Sequence, residues 1–372
     1  MSYAFREFLK KVGSGVHTGE DLSREEAATA MRMMLLQEAT PAQIGAFMIA
    51  HRIKRPSSEE LAGMLDAYDQ VGPKLQPWGV RKQSEGEPEK PISCPSPQTV
   101  TVLGTPYDGR SRTAPVTVLT ALVLASVGVP VLMHGGDCMP TKYGVPAIEL
   151  WQGLGADFSK LTLAQVQHLL ESIGLGFIYL PRHFSHAHEL VPYRDQIGKR
   201  PPIATIELIW SPYQGDVHIV AGYVHPPTET LFRETLAQRG ATHFTLVKGL
   251  EGSCDLPCER TAIIAISQPN SSESFERLLL HPRDYGFGGK EIPLDSTPQL
   301  LDQMRDVLQG NSSELMPAAI WNGGFYLWRC GVCPDLPTGL AKAEALFTSG
   351  QAAQKLEEIG NAIASTQLAH HS

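Results

Sequence analysis

The chain has 372 residues, 42% hydrophobic and 19% charged, which fits a folded globule of about two domains and argues against global disorder. Its 39 acidic and 31 basic residues leave a net charge of −8, which argues against a uniformly basic nucleic-acid binder and leaves only a local basic groove open. No apolar run approaches the roughly 20 residues of a membrane helix, and the opening MSYAFREFLKKVGSG lacks the apolar core of a signal peptide, so the expectation is a cytoplasmic protein.

Residues 1–72 read as a small helical domain. Ser23-Arg-Glu-Glu26 is a capping box, in which serine and glutamate satisfy the first free amides of a helix running to about Gln37. Thr40-Pro41 supplies an N-cap and a proline at the first helical position of a second helix, which ends near Arg52, Lys54 and Arg55, where cations suit the dipole. Ser57-Ser-Glu-Glu60 opens a third helix through about Val71. Residues 73–98, rich in Pro, Ser, Glu and Lys, read as a linker or exposed loop. From 99 to 372 the pattern becomes strand, loop, helix. Expected strands are Thr99–Leu103, Val129–Met133, Gly176–Leu180, Val217–Tyr223, Phe244–Val247 and Thr261–Ile266, with helices at Val116–Val127, Leu163–Ser172, Thr228–Gln238 and from Leu340 to about Ala364. That order predicts α plus α/β: a helical domain, completed by later helices if needed, beside a larger domain with a mixed, largely parallel sheet.

Four stretches carry candidate chemistry. Gly104-Thr105-Pro-Tyr-Asp108-Gly109-Arg110-Ser-Arg112 follows a strand and leads through Thr117 into an apolar helix. A glycine-bearing turn entering a helix presents amides to an anion, and two arginines could add charge-assisted bonds; an ordinary strand-to-helix loop is the equal alternative. On the first account Arg110→Ala should weaken anion binding without unfolding the chain. His134-Gly135-Gly136-Asp137 ends a buried strand, where ligands gather in α/β sheets, although a hydrogen-bonded structural histidine is the more frequent finding. His183, His186 and His188 do not share one helical face, which disfavours a metal site. Val247-Lys-Gly-Leu-Glu251-Gly-Ser-Cys254-Asp255 places two carboxylates in a glycine-rich turn, where they could hold Mg²⁺ or serve as plain loop acids. The pairs Cys254/Cys258 and Cys330/Cys333 lack the hairpin context of a zinc ribbon, so no zinc is expected.

In this order, and with Glu38-Ala-Thr-Pro-Ala-Gln-Ile-Gly-Ala-Phe47, Asn322-Gly-Gly-Phe-Tyr-Leu327 and Leu340-Ala-Lys-Ala-Glu344, these stretches resemble the anthranilate phosphoribosyltransferase family over nearly the whole chain. The resemblance implies the nucleoside phosphorylase and phosphoribosyltransferase type of fold, a homodimer formed through the helices, and transfer of a phosphoribosyl group from phosphoribosyl pyrophosphate with Mg²⁺. With the local reading, the candidates around the donor phosphates are Gly104, Thr105, Asp108, Gly109, Arg110, Arg112, Thr117 and His134; Arg194 matches an arginine that holds the acceptor carboxylate in the family, Asp255 aligns with one of its two metal-binding acids, and Glu251 is a second metal candidate from its place in the same turn. The family motif Gly-Thr-Gly-Gly-Asp-Gly is altered, with Pro106 and Tyr107 replacing two glycines. Tyrosine adds bulk and proline removes an amide donor. Arg112, Ala114 and Val116 replace a threonine, an asparagine and a metal-binding serine; Met133 and Asp137 replace a lysine and an arginine; Cys254 replaces one metal-binding acid. The expectation is a weakened donor and Mg²⁺ site, with activity on anthranilate weak, altered or lost. The stretches Tyr107-Asp-Gly-Arg and Gly128-Val-Pro-Val-Leu-Met-His-Gly look closer to a divergent, non-biosynthetic branch, some of whose members bind nucleic acid. The alternative is therefore a non-catalytic nucleic-acid binder using Lys10, Lys11, Arg52, Lys54, Arg55, Arg110 and Arg112, a reading the net charge does not favour.

Overall fold

The computed structural model describes residues 3–15, 17–77, 99–267 and 275–368. Most of the expected linker, with Cys94, lies outside the described residues. The N-terminal part folds as α1 (Tyr3–Gly13), α2 (Arg24–Leu35), α3 (Pro41–Lys54) and α4 (Ser58–Val71). Capping boxes at Ser23 and Ser57 start α2 and α4 as the sequence predicts, and the expected N-cap Thr40 starts α3, also with a capping box through Gln43. Phe5, Met31, Ile44, Phe47, Leu61 and Leu65 fill the space between these helices. Glu60 is fully buried among them. Its carboxylate accepts from the amides of Leu22 (3.0 Å) and Ser57 (2.7 Å) and from Lys54 Nζ (2.8 Å), with His51 Nε2 at 3.4 Å. Burial works against its charge, but His51 and these donors outweigh burial and hold the carboxyl at about 2.

The larger part is built on β1 (Val100–Leu103), β2 (Val131–Gly135), β3 (Leu175–Tyr179), β4 (Val217–Gly222), β5 (Phe244–Val247), β6 (Ala262–Ser267) and β7 (Phe275–Leu280). The sheet order is β3-β2-β1-β4-β5-β6-β7; β1 to β5 run parallel, and β6 and β7 are antiparallel to their neighbours. The expected mixed, largely parallel sheet is thus present, with β7 as a strand the sequence pattern did not single out. Val102 of β1 pairs with Leu132 on one side and Ile219 on the other. The chain winds outward from β1 through β2 to β3, then returns to β4 beside β1. That reversal opens a crevice at the carboxyl ends of β1 and β4, where such sheets bind ligands. Helix α5 (Thr117–Ser126) is apolar on every side because it is enclosed by the sheet and by the helices Met316–Arg329 and Leu336–Thr348. The C-terminal stretch read as one helix is two, Leu336–Thr348 and Gln351–Leu368, separated at Gly350, whose φ of 76° is left-handed.

Candidate functional site

The loop between β1 and α5 crosses the crevice. Gly104 must be glycine, because a Cβ there would lie 2.3 Å from the Leu208 carbonyl oxygen. Gly109 has φ +74° and packs its α-carbon against the backbone of Gly144. The Gly144 amide donates to the Asp108 carbonyl (2.9 Å), and Arg110 and Val145 exchange backbone bonds of 3.2 and 2.7 Å. This pins the loop to residues 144 and 145 and turns the Arg110 side chain inward.

Arg110 is 2% exposed. One terminal nitrogen donates to Asp255 (2.7 Å) and Ser253 Oγ (2.8 Å), the other to the Thr113 hydroxyl, and Nε to Glu251 (3.3 Å). Glu251 accepts from three successive amides, Ser111 (3.1 Å), Arg112 (3.0 Å) and Thr113 (3.0 Å), and from the hydroxyls of Ser111 and Thr113. Its own φ is +54°, a left-handed value that brings the carboxylate beneath the loop. Burial opposes ionisation, yet the amides and Arg110 prevail and hold Glu251 at about 2. Asp255 accepts from the Thr117 hydroxyl (2.7 Å) and the Val116 amide (3.2 Å) in addition to Arg110. The loop, the start of α5 and the turn after β5 are therefore joined by one buried ionic cluster. The sequence brought Arg110, Thr117, Glu251 and Asp255 forward as ligand or metal contacts; here they bind one another. Ser253 and Thr113 complete the cluster and carried no signal in the sequence.

Asp108 lies at the edge of that cluster. It is buried, and neither carboxylate oxygen has a hydrogen-bond partner among the described residues; Lys142 Nζ is 3.6 Å away and Arg200 3.9 Å. Burial pulls the Lys142 ammonium downward, against the pull of Asp108. Arg112 points outward, with its side chain 79% exposed and 3.8 Å from Glu251. Thr105 is buried in the loop beside Gly104.

His134, at the carboxyl end of β2, is fully buried. Its Nε2 faces the Trp210 carbonyl (3.0 Å), which can only accept, so Nε2 carries the proton and Nδ1 accepts from the Tyr107 hydroxyl (2.7 Å). Burial, opposed by the Trp210 bond, lowers its pKa to about 4. This is a satisfied structural histidine, the more frequent outcome for such a residue. Arg194 is buried too, and its two terminal nitrogens both reach the Glu207 carboxylate. The arginine expected to take an acceptor carboxylate already holds one.

The remaining motifs do not assemble a metal centre. His183 accepts from the Tyr179 amide (2.9 Å) and faces the Leu161 carbonyl (2.8 Å), so both ring nitrogens are engaged. Cys254, Cys258, Cys330 and Cys333 are free thiols; burial pushes Cys258 up to about 12 and Cys330 to about 11. Among the described residues no group of three or more His, Cys, Asp and Glu has metal-binding geometry. Glu251 and Asp255 likewise do not fit Mg²⁺, which demands near-octahedral oxygen ligands, because each of their oxygens is engaged by an internal donor. Of the basic candidates on the helical part, Lys10 pairs with Glu7, Lys11 with Glu26, and Lys54 with Asp21 and Glu60. Arg52 and Arg55 instead line a cleft of about 970 Å³ with Arg200, His225 and the starts of α4 and of the helix Pro226–Gln238. The sequence offered no signal for Arg200 or His225, which reach this cleft from separate loops.

A family model described as the helical bundle domain of a glycosyl transferase family matches residues 6–72, and one described as its a/b domain matches residues 96–353. Among curated proteins, an anthranilate phosphoribosyltransferase of Chromobacterium violaceum is 26% identical over 92% of this chain and 94% of its own length. One from Methylococcus capsulatus is 27% identical over the same shares. Among solved structures, the Thermus thermophilus anthranilate phosphoribosyltransferase superposes with a TM-score of 0.74 at 22% identity, over 98% of this chain and 100% of that one. The Saccharomyces cerevisiae enzyme in complex with PRPP and Mg gives 0.77 at 16% identity, over 97% and 98%. No described helix is long and apolar enough to cross a membrane.

Proposed function

The chain belongs to the glycosyl transferase family that includes the anthranilate phosphoribosyltransferases, and from that membership we propose a cytoplasmic, homodimeric protein that binds phosphoribosyl pyrophosphate or a related anion and transfers its phosphoribosyl group to anthranilate weakly or not at all. One observation carries the second half of this reading: the Glu251 carboxylate occupies the amides of Ser111, Arg112 and Thr113, the loop donors a leaving pyrophosphate would need. In such a reaction the aromatic amine is already nucleophilic. The protein's contribution is to align it with C1 of the donor and to stabilise charge on the departing pyrophosphate. Donors already spent on an internal anion supply neither. The cations facing the cleft, Arg52, Arg55 and Arg200, support binding of the anion itself.

The test is steady-state turnover of phosphoribosyl pyrophosphate and anthranilate beside the Chromobacterium violaceum relative. One missing preorganised donor costs on the order of 10²–10³ in rate, so a deficit of at least that size is expected. Equal turnover would sink the proposal of lost activity. Binding is read by calorimetry with phosphoribosyl pyrophosphate, where Arg200→Ala should weaken affinity by about tenfold or more for a lost charge-assisted contact. The nucleic-acid alternative has less support, because Lys10, Lys11 and Lys54 are neutralised by acids of the same domain and Arg110 is enclosed.

A further inference from the structure

We infer that Arg110 is the fixed cation of this site, taking the place between Asp255 and Glu251 that a divalent metal would need, so that anion binding here is independent of metal. The inference rests on the reading that the adjoining cleft takes an anion. The side chains of Arg110, Glu251 and Asp255 are 3%, 4% and 1% exposed, so no water-filled space separates them. The guanidinium reaches both carboxylates and both neighbouring hydroxyls, Ser253 and Thr113, in one planar fork. It thereby ties the loop after β1 to the turn after β5, the bridging that a metal ion would otherwise perform. An ion seated on Asp255 would meet a guanidinium nitrogen already 2.7 Å from that carboxylate. Arginine, unlike a bound ion, neither dissociates nor loses its charge in a protein.

Little coordination capacity is left as well. A carboxylate offers about four lone-pair sites. Glu251 spends its sites on three amides, two hydroxyls and Arg110. Asp255 accepts from Thr117, Val116 and Arg110. Positive charge for a ligand is then left to groups the cluster does not consume. Those around the cleft of about 970 Å³ are Arg52, Arg55 and Arg200, and Glu234 is the acidic side chain of the lining.

The experiment titrates the full-length protein with Mn²⁺, followed by electron paramagnetic resonance, and with inorganic pyrophosphate by calorimetry in EDTA or in Mg²⁺. The wild type is expected to hold no Mn²⁺ at millimolar concentration, and Mg²⁺ should leave its melting temperature unchanged. Arg110→Ala vacates the space between the two carboxylates. That variant frees only the lone pairs Arg110 now takes on the two carboxylates, so its melting temperature should rise when Mg²⁺ is added, a response the wild type lacks. Stoichiometric Mn²⁺ bound to the wild type and released by Asp255→Asn would overturn the inference. So would pyrophosphate binding that appears only with Mg²⁺. If Arg110→Ala does not fold, the wild-type Mn²⁺ titration decides alone. Absence of pyrophosphate binding in both buffers, with no Mn²⁺ held, counts against the anion cleft and leaves the assignment of Arg110 standing.

Discussion

Tyr107 stands where the resembling family has a glycine, and its ring is 3% exposed against His134. The sequence could show that the side chain adds bulk at a phosphate loop; it could not show that the hydroxyl completes the buried imidazole. Tyr107→Phe keeps the ring and removes the donor, leaving His134 Nδ1 unsatisfied in a closed space. The expected cost is about 1–3 kcal/mol, read from urea unfolding; an unchanged midpoint would mean that another donor reaches Nδ1. Arg110 shows the larger gap between sequence and structure. Its position in the loop was legible, and its direction was not, because direction is set by the pairing of residues 110 and 145 and by an acid 141 positions away at Glu251. The expectation that Arg110→Ala affects binding alone therefore changes. Without the guanidinium two buried carboxylates lose their counter-charge, and about 3–5 kcal/mol of stability should go with it. Denaturation without added metal measures this, and a loss within about 0.5 kcal/mol, the range of ordinary surface substitutions, would contradict the cluster's energetic role.

Helices α2 and α4 touch backbone to backbone. A Cβ built on Gly63 would sit 2.1 Å from the Arg24 carbonyl oxygen and 3.0 Å from the Ala27 methyl. Neither neighbour is a flexible side-chain end, so Gly63→Ala must push the two helices apart. Overpacking of this kind costs about 1–3 kcal/mol, even though alanine is the better helix former. A thermal melt of that variant no lower than wild type would show that the helices can slide past each other. The sequence revealed the starts of these helices because capping is local: serine or threonine and the residue three positions on answer each other within one turn. It revealed the buried strands for a similar reason, as short apolar runs. It missed β7, Phe275–Leu280, because an edge strand half open to solvent mixes Glu276 and Arg277 with its leucines and breaks the run. Antiparallel pairing of β6 with β5 also depends on chain reversal that no local pattern encodes.

The two parts of the molecule meet through ions as well as through packing. Arg239, following the helix Pro226–Gln238, pairs with Asp66 and Asp69 of α4, and Arg24 of α2 shares Asp66 at 2.5 Å. Each part also holds a buried carboxylate at about 2, Glu60 on the helical side and Glu251 in the crevice. Both are depressed from an ordinary 4.5, so the unfolded chain binds more protons than the folded one between those values. Their contribution is complete above about 4.5 and is lost as the pH falls toward 2. His134 acts in the same direction at higher pH. Burial lowers it from 6.5 to about 4, so an unfolded chain takes up its proton first across that interval. Burial also lowers His183, His218 and His243. Stability should therefore fall continuously from near neutrality into acid, with the steepest loss once the carboxylates begin to protonate. Urea midpoints at a series of pH values measure this. Glu60→Gln should flatten the lower part of the curve while reducing stability at pH 7, because glutamine cannot answer Lys54 with a charge. A midpoint that rises on acidification, or an unchanged acid limb in that variant, would show that these buried charges do not govern the response of the whole chain.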